Sequence, residues 1–257
     1  MTDEDWRSLV QSEGSPREAL AHFQRTVELD PNNAGAHCEL GNCLRNQGRF
    51  AESLAAFRHG HELGSKQPGW SQPSAQWVRD GERRAALEAR LPEFLEGTAT
   101  PRDNAERLDL AQMCGAKKLC RAAAGFFAAA FAADAAIADD LGSWRRYNAA
   151  CSAALAASGQ GEDAADLDDG ERARLCKQAL GWLRADLSLH AKRLETGEPA
   201  DRAAVQQALH DWQKDADLAG IRDAAPLAKL TTDDRNACTQ LWADVDSLAK
   251  GTATPTR

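Results

Sequence analysis

The sequence predicts an all-α fold of repeated helical hairpins, and three observations carry that prediction. About a fifth of the 257 residues are alanine, the residue with the best intrinsic helix propensity. Val and Ile together occur only seven times and tyrosine once, at Tyr147, although strands need β-branched and aromatic residues to cover a pleated surface. Small and large residues also recur at a fixed interval: Ala19 and Phe23 precede Ser53 and Phe57 by 34 residues. A β-rich or α/β fold is therefore disfavoured.

Taken in order, residues 1–14 read as a degenerate first helix marked by Trp6 and Gly14. The stretch SPREALAHFQRTVEL reads as its partner helix, and Asp30-Pro31-Asn32-Asn33 stops it. From Ala34 a unit of 34 residues follows. Leu40, Gly41 and Leu44 form the inward face of its first helix, and Gly48 closes that helix because a residue free to adopt positive φ is favoured there. Ser53 and Phe57 mark the second helix, while Gly41 and Gly60 permit close approach of the two. The run GSKQPGWSQPS, residues 64–74, reads as a connector on its two prolines. A long helix is predicted from Ala75 to Arg90, with Pro92 opening a shorter one.

A third unit opens at Asn104, where Leu110, Ala111 and Cys114 take the places of Leu40, Gly41 and Leu44. Ala123, Phe127 and Ala130 occupy the second-helix places, and the absence of proline at Ala135 predicts that this helix runs on. The fourth unit presents Ala149, Ala150 and Ala153 inward. An acidic insert, Glu162 to Glu171, then delays its second helix to about Arg172 through Leu187. Beyond Pro199 the pattern changes. An amphipathic helix around Val205, Leu209 and Trp212 precedes a loop-rich link, LAGIRDAAPLAKL, and a last helix near Leu241, Trp242, Val245 and Leu248. Thr231 and the residues after it supply N-capping groups for that helix.

These residues resemble the tetratricopeptide repeat (TPR) family, most strongly from Ser15 to Leu63, where the small and large positions are followed by LDPNN between units. From Trp77 to Lys250 the chain is also similar to the TPR-rich C-terminal region of planctomycete-type bacterial serine/threonine protein kinases, on RYNAAC, QALGWLRADL and WQKDADLAGIRD. The resemblance implies an all-α, right-handed TPR-like solenoid with a divergent C-terminal helical cap. The segments expected are hairpins over 1–67, a connector over 68–103, degenerate hairpins with the acidic insert over 104–195, and the cap and tail over 196–257. It further implies a bacterial, cytoplasmic, non-catalytic scaffold or adaptor that binds a protein or peptide partner in a concave groove. The alternative is an autoregulatory or structural module of a larger, kinase-linked signalling protein.

Charge and motifs bound the function independently. The net charge of −8 disfavours nucleic acid, whose affinity rests on neutralised phosphates. The basic pairs Arg83-Arg84, Lys117-Lys118 and Arg145-Arg146 therefore read as solvated helix faces. The acidic start lacks the basic and apolar regions of a signal peptide, and the longest apolar run, residues 122–133, is shorter than the roughly 20 residues a bilayer span needs. No glycine-rich nucleotide loop, His-Arg-Asp, Asp-Phe-Gly, HExxH or GxSxG motif occurs, so neither an enzyme nor a cofactor is expected. The seven cysteines read as reduced, mostly buried thiols, with no metal site: Cys38 and Cys43 sit about 140° apart around one helix, and Cys114 and Cys120 lack a nearby histidine pair. The acidic insert reads as a solvated loop, because Ala165 and Leu167 fall where calcium ligands belong.

The sharper expectation is the groove. In TPR proteins the first helices of the repeats grip an extended segment, and the resemblance places Asn42 and Asn148 at such positions, with Gln112 as the third unit's equivalent of Asn42. An amide donates and accepts at once and so satisfies both groups of a peptide bond. Asn42 and Asn148 read equally well as bridges between neighbouring helices. Arg45 and Arg146 are the adjacent basic candidates and favour an acidic peptide. Cys38 and Leu108 stand where the family's carboxylate-clamping lysines would be, which disfavours a receptor for chaperone tails.

Overall fold

The computed structural model describes residues 16–195 and 197–252 and divides the chain into two compact units, Met1–Thr100 and Pro101–Arg257. The helix expected over residues 1–14, with Trp6 and Gly14, lies outside the described residues. Among those residues the fold is all-α, without a strand, and built of TPR-like helical hairpins.

The first unit contains α1 (Pro16–Leu29), α2 (Ala34–Asn46), α3 (Phe50–Gly64) and α4 (Ser74–Leu95). Asn33 caps α2: its side chain accepts from the Ala36 N–H at 2.9 Å, satisfying one orphan donor of the first turn. Gly48, at φ +72°, turns the chain into α3. A Cβ on Gly41 would lie 2.7 Å from the Phe57 ring, and one on Gly60 would lie 2.6 Å from Cys38 Sγ. Glycine is thus what lets α2 and α3 touch. The buried Ser53 hydroxyl then donates to the Gly41 carbonyl at 2.8 Å across that contact.

One expectation holds and one changes in this unit. The connector falls where its prolines place it, at 65–73, and Trp70 folds over Gly64 while its Nε1 donates to Ser74 Oγ at 3.0 Å, where α4 begins. Pro92 does not open a new helix. It lies inside the last turn of α4, where only one ladder bond is lost, and buried Leu87, Leu91 and Phe94 keep one face anchored through it.

The second unit contains α5 (Asn104–Ala116), α6 (Cys120–Ala133), α7 (Ala136–Asp139), α8 (Arg145–Ala157), α9 (Asp169–Leu194), α10 (Pro199–Lys214), α11 (Ala219–Arg222), α12 (Ala224–Leu227) and α13 (Thr232–Thr252). Single 3-10 turns, Leu141–Ser143 and Ala216–Leu218, precede α8 and α11. The core lies where the fully buried alanine face of α8 meets α9, with Leu209 and Trp212 of α10 and Leu241 and Val245 of α13 filling the rest. Alanine abundance is explained there: close helix packing needs small residues at the contact.

α6 stops at Ala133 instead of running on. Asp134 adopts an extended backbone and its Oδ1 accepts from the Ala136 N–H at 3.1 Å, a local side-chain bond that competes with the helix ladder. The acidic insert is also more ordered than a solvated loop. Asp163 accepts from the Arg121 and Ala122 N–H groups at 3.1 and 2.8 Å, capping α6, and Asp168 accepts from Glu171 N at 2.8 Å, capping α9. α9 therefore starts at Asp169, inside the insert. The loop-rich link condenses into α11 and α12, and Thr231 caps α13 through the Asp234 N–H at 3.2 Å. No helix among the described residues is long and apolar enough to cross a membrane.

Candidate functional site

Within the second unit, two candidate residues meet at one cavity. Gln112 follows fully buried Ala111 on α5, and Asn148 precedes fully buried Ala149 on α8, so helical geometry turns both amides to the exposed side of the packed face. Both line a cavity of about 290 Å³, together with Phe127, Tyr147, Cys151 and Ser152. The turn after α10 adds a wall with Asp215 and Asp217.

That wall is fixed in place. Tyr147 Oη donates to Asp215 Oδ2 at 2.6 Å, and the Asp217 N–H donates to Asp215 Oδ1 at 2.8 Å. Cys151 Sγ lies 3.9 Å from the same Oδ2. Burial, then Cys151 and Asp215, push the Tyr147 hydroxyl far above its ordinary value, so it remains a donor. Desolvation, and Asp215 after it, raises Asp217, whose residue is exposed while its carboxyl faces the cavity. Cys151 is pushed well up by burial and by both aspartates.

Cys151, Asp215 and Asp217 offer ligand atoms within 4.8 Å of one another, a grouping their separation in sequence gave no means to foresee. A cation there would have to displace the Tyr147 hydrogen bond and strip a proton from a thiol held far above its usual range. The chemistry suits an acidic wall better than a metal centre.

The remaining candidates lie elsewhere. Asn42 donates to Glu39 Oε2 on its own helix at 3.3 Å, and half-buried Arg45 stands one turn on. Cys38 is buried and Leu108 is half-buried. Arg146 is neither a solvated helix face nor a groove cation. Only 8% exposed, it pairs with Asp186 on α9 at 2.8 Å and with Asp139 on α7. Its position on α8 faces those two helices and not the cavity of Gln112 and Asn148. A helical-wheel reading could not separate these outcomes, because the partners lie 7 and 40 residues away.

Beside that ion pair, His190 Nδ1 and Trp212 Nε1 are buried without a hydrogen-bond partner among the described residues. Burial, and Arg193 after it, lowers His190 to about 4, while burial of Asp186 outweighs Arg146 and holds it at about 6. All seven cysteines are unpaired and buried.

Comparison with known proteins bears on the first unit. Residues 22–55 match the family model described as tetratricopeptide repeat. A tetratricopeptide repeat spans residues 22–55. It covers the second half of α1, all of α2 and the start of α3, and includes the Ser53 bond to the Gly41 carbonyl. The chain is also similar to a BBSome complex member BBS4 homolog of Drosophila melanogaster, 40% identical over 55 residues. Those residues are 21% of this chain and 11% of the relative, so only about a tenth of the relative's length is matched.

Proposed function

We propose that this chain is a non-catalytic protein-interaction scaffold whose second unit holds an extended partner segment between α5 and α8. The observation that carries this reading is the convergence of Gln112 and Asn148 on one cavity with Asp215 and Asp217. The tetratricopeptide repeat in the first unit supports a protein-binding role, as does the similarity to a relative named as a member of a complex. The amides satisfy the peptide backbone, and the two carboxyl groups select a basic side chain. The charge preference is thus the reverse of that expected from Arg45 and Arg146: Arg146 is consumed by Asp186 and Asp139, and the groove wall is acidic.

Fluorescence anisotropy against arrayed basic, neutral and acidic peptides tests the reading. Binding is expected for basic segments, weakening with salt. Asn148→Ala combined with Asp217→Asn should weaken it about tenfold or more while leaving the helical circular dichroism unchanged. A preference for acidic peptides, or indifference to both substitutions, would overturn the proposal. Co-purification then separates a foreign partner from another domain of a longer signalling protein.

A further inference from the structure

We propose that Cys176 and Cys238 form an oxidation site, at which a hydroperoxide entering from an adjoining cavity converts two thiols into a disulfide stapling α13 to α9. The two sulfurs lie 4.0 Å apart although the residues are 62 positions apart in sequence. Among the described residues no other pair of thiols comes within hydrogen-bond reach. Both side chains are fully buried where α9 packs on α13, so each sulfur already faces its partner in a fixed setting. Closing to a disulfide length of about 2.05 Å requires an approach of about 2 Å.

Access distinguishes Cys176 from a sealed core thiol. It lines a cavity of about 480 Å³ whose walls include Ser158, Arg172, Gly220 and Leu230. Such a space admits a hydroperoxide, whereas a bulky disulfide oxidant cannot reach a sulfur that is only 1% exposed. The proton inventory supports the same order of events. The hydrogen bond from Cys238 lowers Cys176, and Cys238 itself is pushed up. Burial instead raises Cys38 and Cys114 to about 12 and Cys43 and Cys120 to about 11. Thiolate character therefore concentrates on the sulfur that faces the cavity.

The chemistry balances in two steps. With hydrogen peroxide, the Cys176 thiolate attacks one peroxide oxygen, the O–O bond breaks, and the departing hydroxide leaves as water after taking up a proton, giving a sulfenic acid at Cys176. The Cys238 sulfur then attacks that sulfenic sulfur. The S–O bond breaks, the Cys238 proton leaves with the hydroxyl as a second water, and the S–S bond forms. Two thiols lose two electrons, and one peroxide accepts them. Dithiol reductants reverse the change by exchange.

The test uses the full chain, treated with one equivalent of hydrogen peroxide, alkylated, and digested with trypsin without reduction. Titratable thiols should fall from seven to five, with the peptide Leu175–Lys177 linked to the peptide Asn236–Lys250. These two thiols should react about tenfold faster than the other five. The oxidised chain should melt at a higher temperature until dithiothreitol is added. Cys176→Ser should retain its six thiols against the same treatment, whereas Cys238→Ala should form no cross-link and stop at a Cys176 sulfenic acid that dimedone traps. Oxygen adducts without the cross-link, a different pairing, or a link formed only in denaturant would each overturn the proposal. The wild-type peptide map decides the matter even where a variant fails to fold.

Discussion

The hairpin α2–α3 and the hairpin α5–α6 follow one plan offset by 70 residues, yet they end in different surroundings. Each first helix has 13 residues, capped by Asn33 in one and Asp103 in the other. Each turn carries one residue at positive φ, Gly48 at +72° and Lys118 at +59°. Phe57 and Phe127 fill the same core place at 2% and 3% exposure. The differences begin at the contact between helices. Gly41, Ser53 and Gly60 become Ala111, Ala123 and Ala130, and the Ser53 bond to the Gly41 carbonyl gives way to one from Asn104 Nδ2 to the Ala130 carbonyl at 3.0 Å. Asn42 turns to Glu39 on its own helix, whereas Gln112 opens on a cavity because α8 and the 215–217 turn supply the opposite wall. The hairpin plan is shared, and the later elements α8 and the 215–217 turn close the cavity at only one of the two.

The largest test of that shared plan removes the common aromatic. Phe57→Ala and Phe127→Ala should each cost about 3–5 kcal/mol in chemical denaturation, from lost burial and the cavity left behind. Under the proposed function Phe127→Ala should also change peptide binding, since Phe127 lines the cavity of Gln112 and Asn148. Equal binding in that variant would break the link between hairpin and site.

The two arginines come next. Arg146→Met should destabilise the second unit by about 3–5 kcal/mol, because Asp186 is left buried and unpaired. Arg45→Met should cost less than about 1 kcal/mol, its place being half-exposed. A comparable loss at both positions would erase the distinction between them.

The ion-pair neighbourhood gives a pH test with opposed signs. Asp186, at about 6, holds its proton in the folded state across pH 4–6 where the unfolded chain has released it, so this group makes stability fall as pH rises. His190, at about 4, stays neutral when folded across pH 4–6.5 while the unfolded chain is charged, so it makes stability rise with pH. The native protein should therefore be nearly flat from pH 4 to 6. His190→Phe should expose the falling trend and Asp186→Asn the rising one, each by up to about 3 kcal/mol in thermal melts. Parallel slopes in the two variants would refute the assignment.

The smallest effect compares the turns. Lys118→Gly should stabilise by up to about 1 kcal/mol by relieving a left-handed backbone, and Gly48→Ala should cost about as much. Denaturation midpoints measure both.

Much of this was legible because it is local. Helix periods, the Gly48 turn, the glycine contacts, the Ala149 and Ala150 face and the apolar stripe of Val205, Leu209 and Trp212 all follow from spacing within one or two turns. Breaks were less legible wherever one polar side chain decided them. Asp134 ends α6 and Asp163 caps it from 41 residues away, so alanine propensity and acidic composition misread both. Arg146 shows the same limit at the site: its residue type suggested a groove cation, while Asp186 and Asp139 took its charge.

The sequence by itself determined the class, the hairpins and the small residues that let helices touch, since helix propensity and period act over a few neighbouring residues. Only the tertiary structure decided the carboxylates that line the cavity of Gln112 and Asn148, the partner of Arg146 and the approach of Cys176 to Cys238. Each of those joins residues that sequence separates by tens of positions. Long-range packing, which no local period encodes, is what brings charge to charge and sulfur to sulfur.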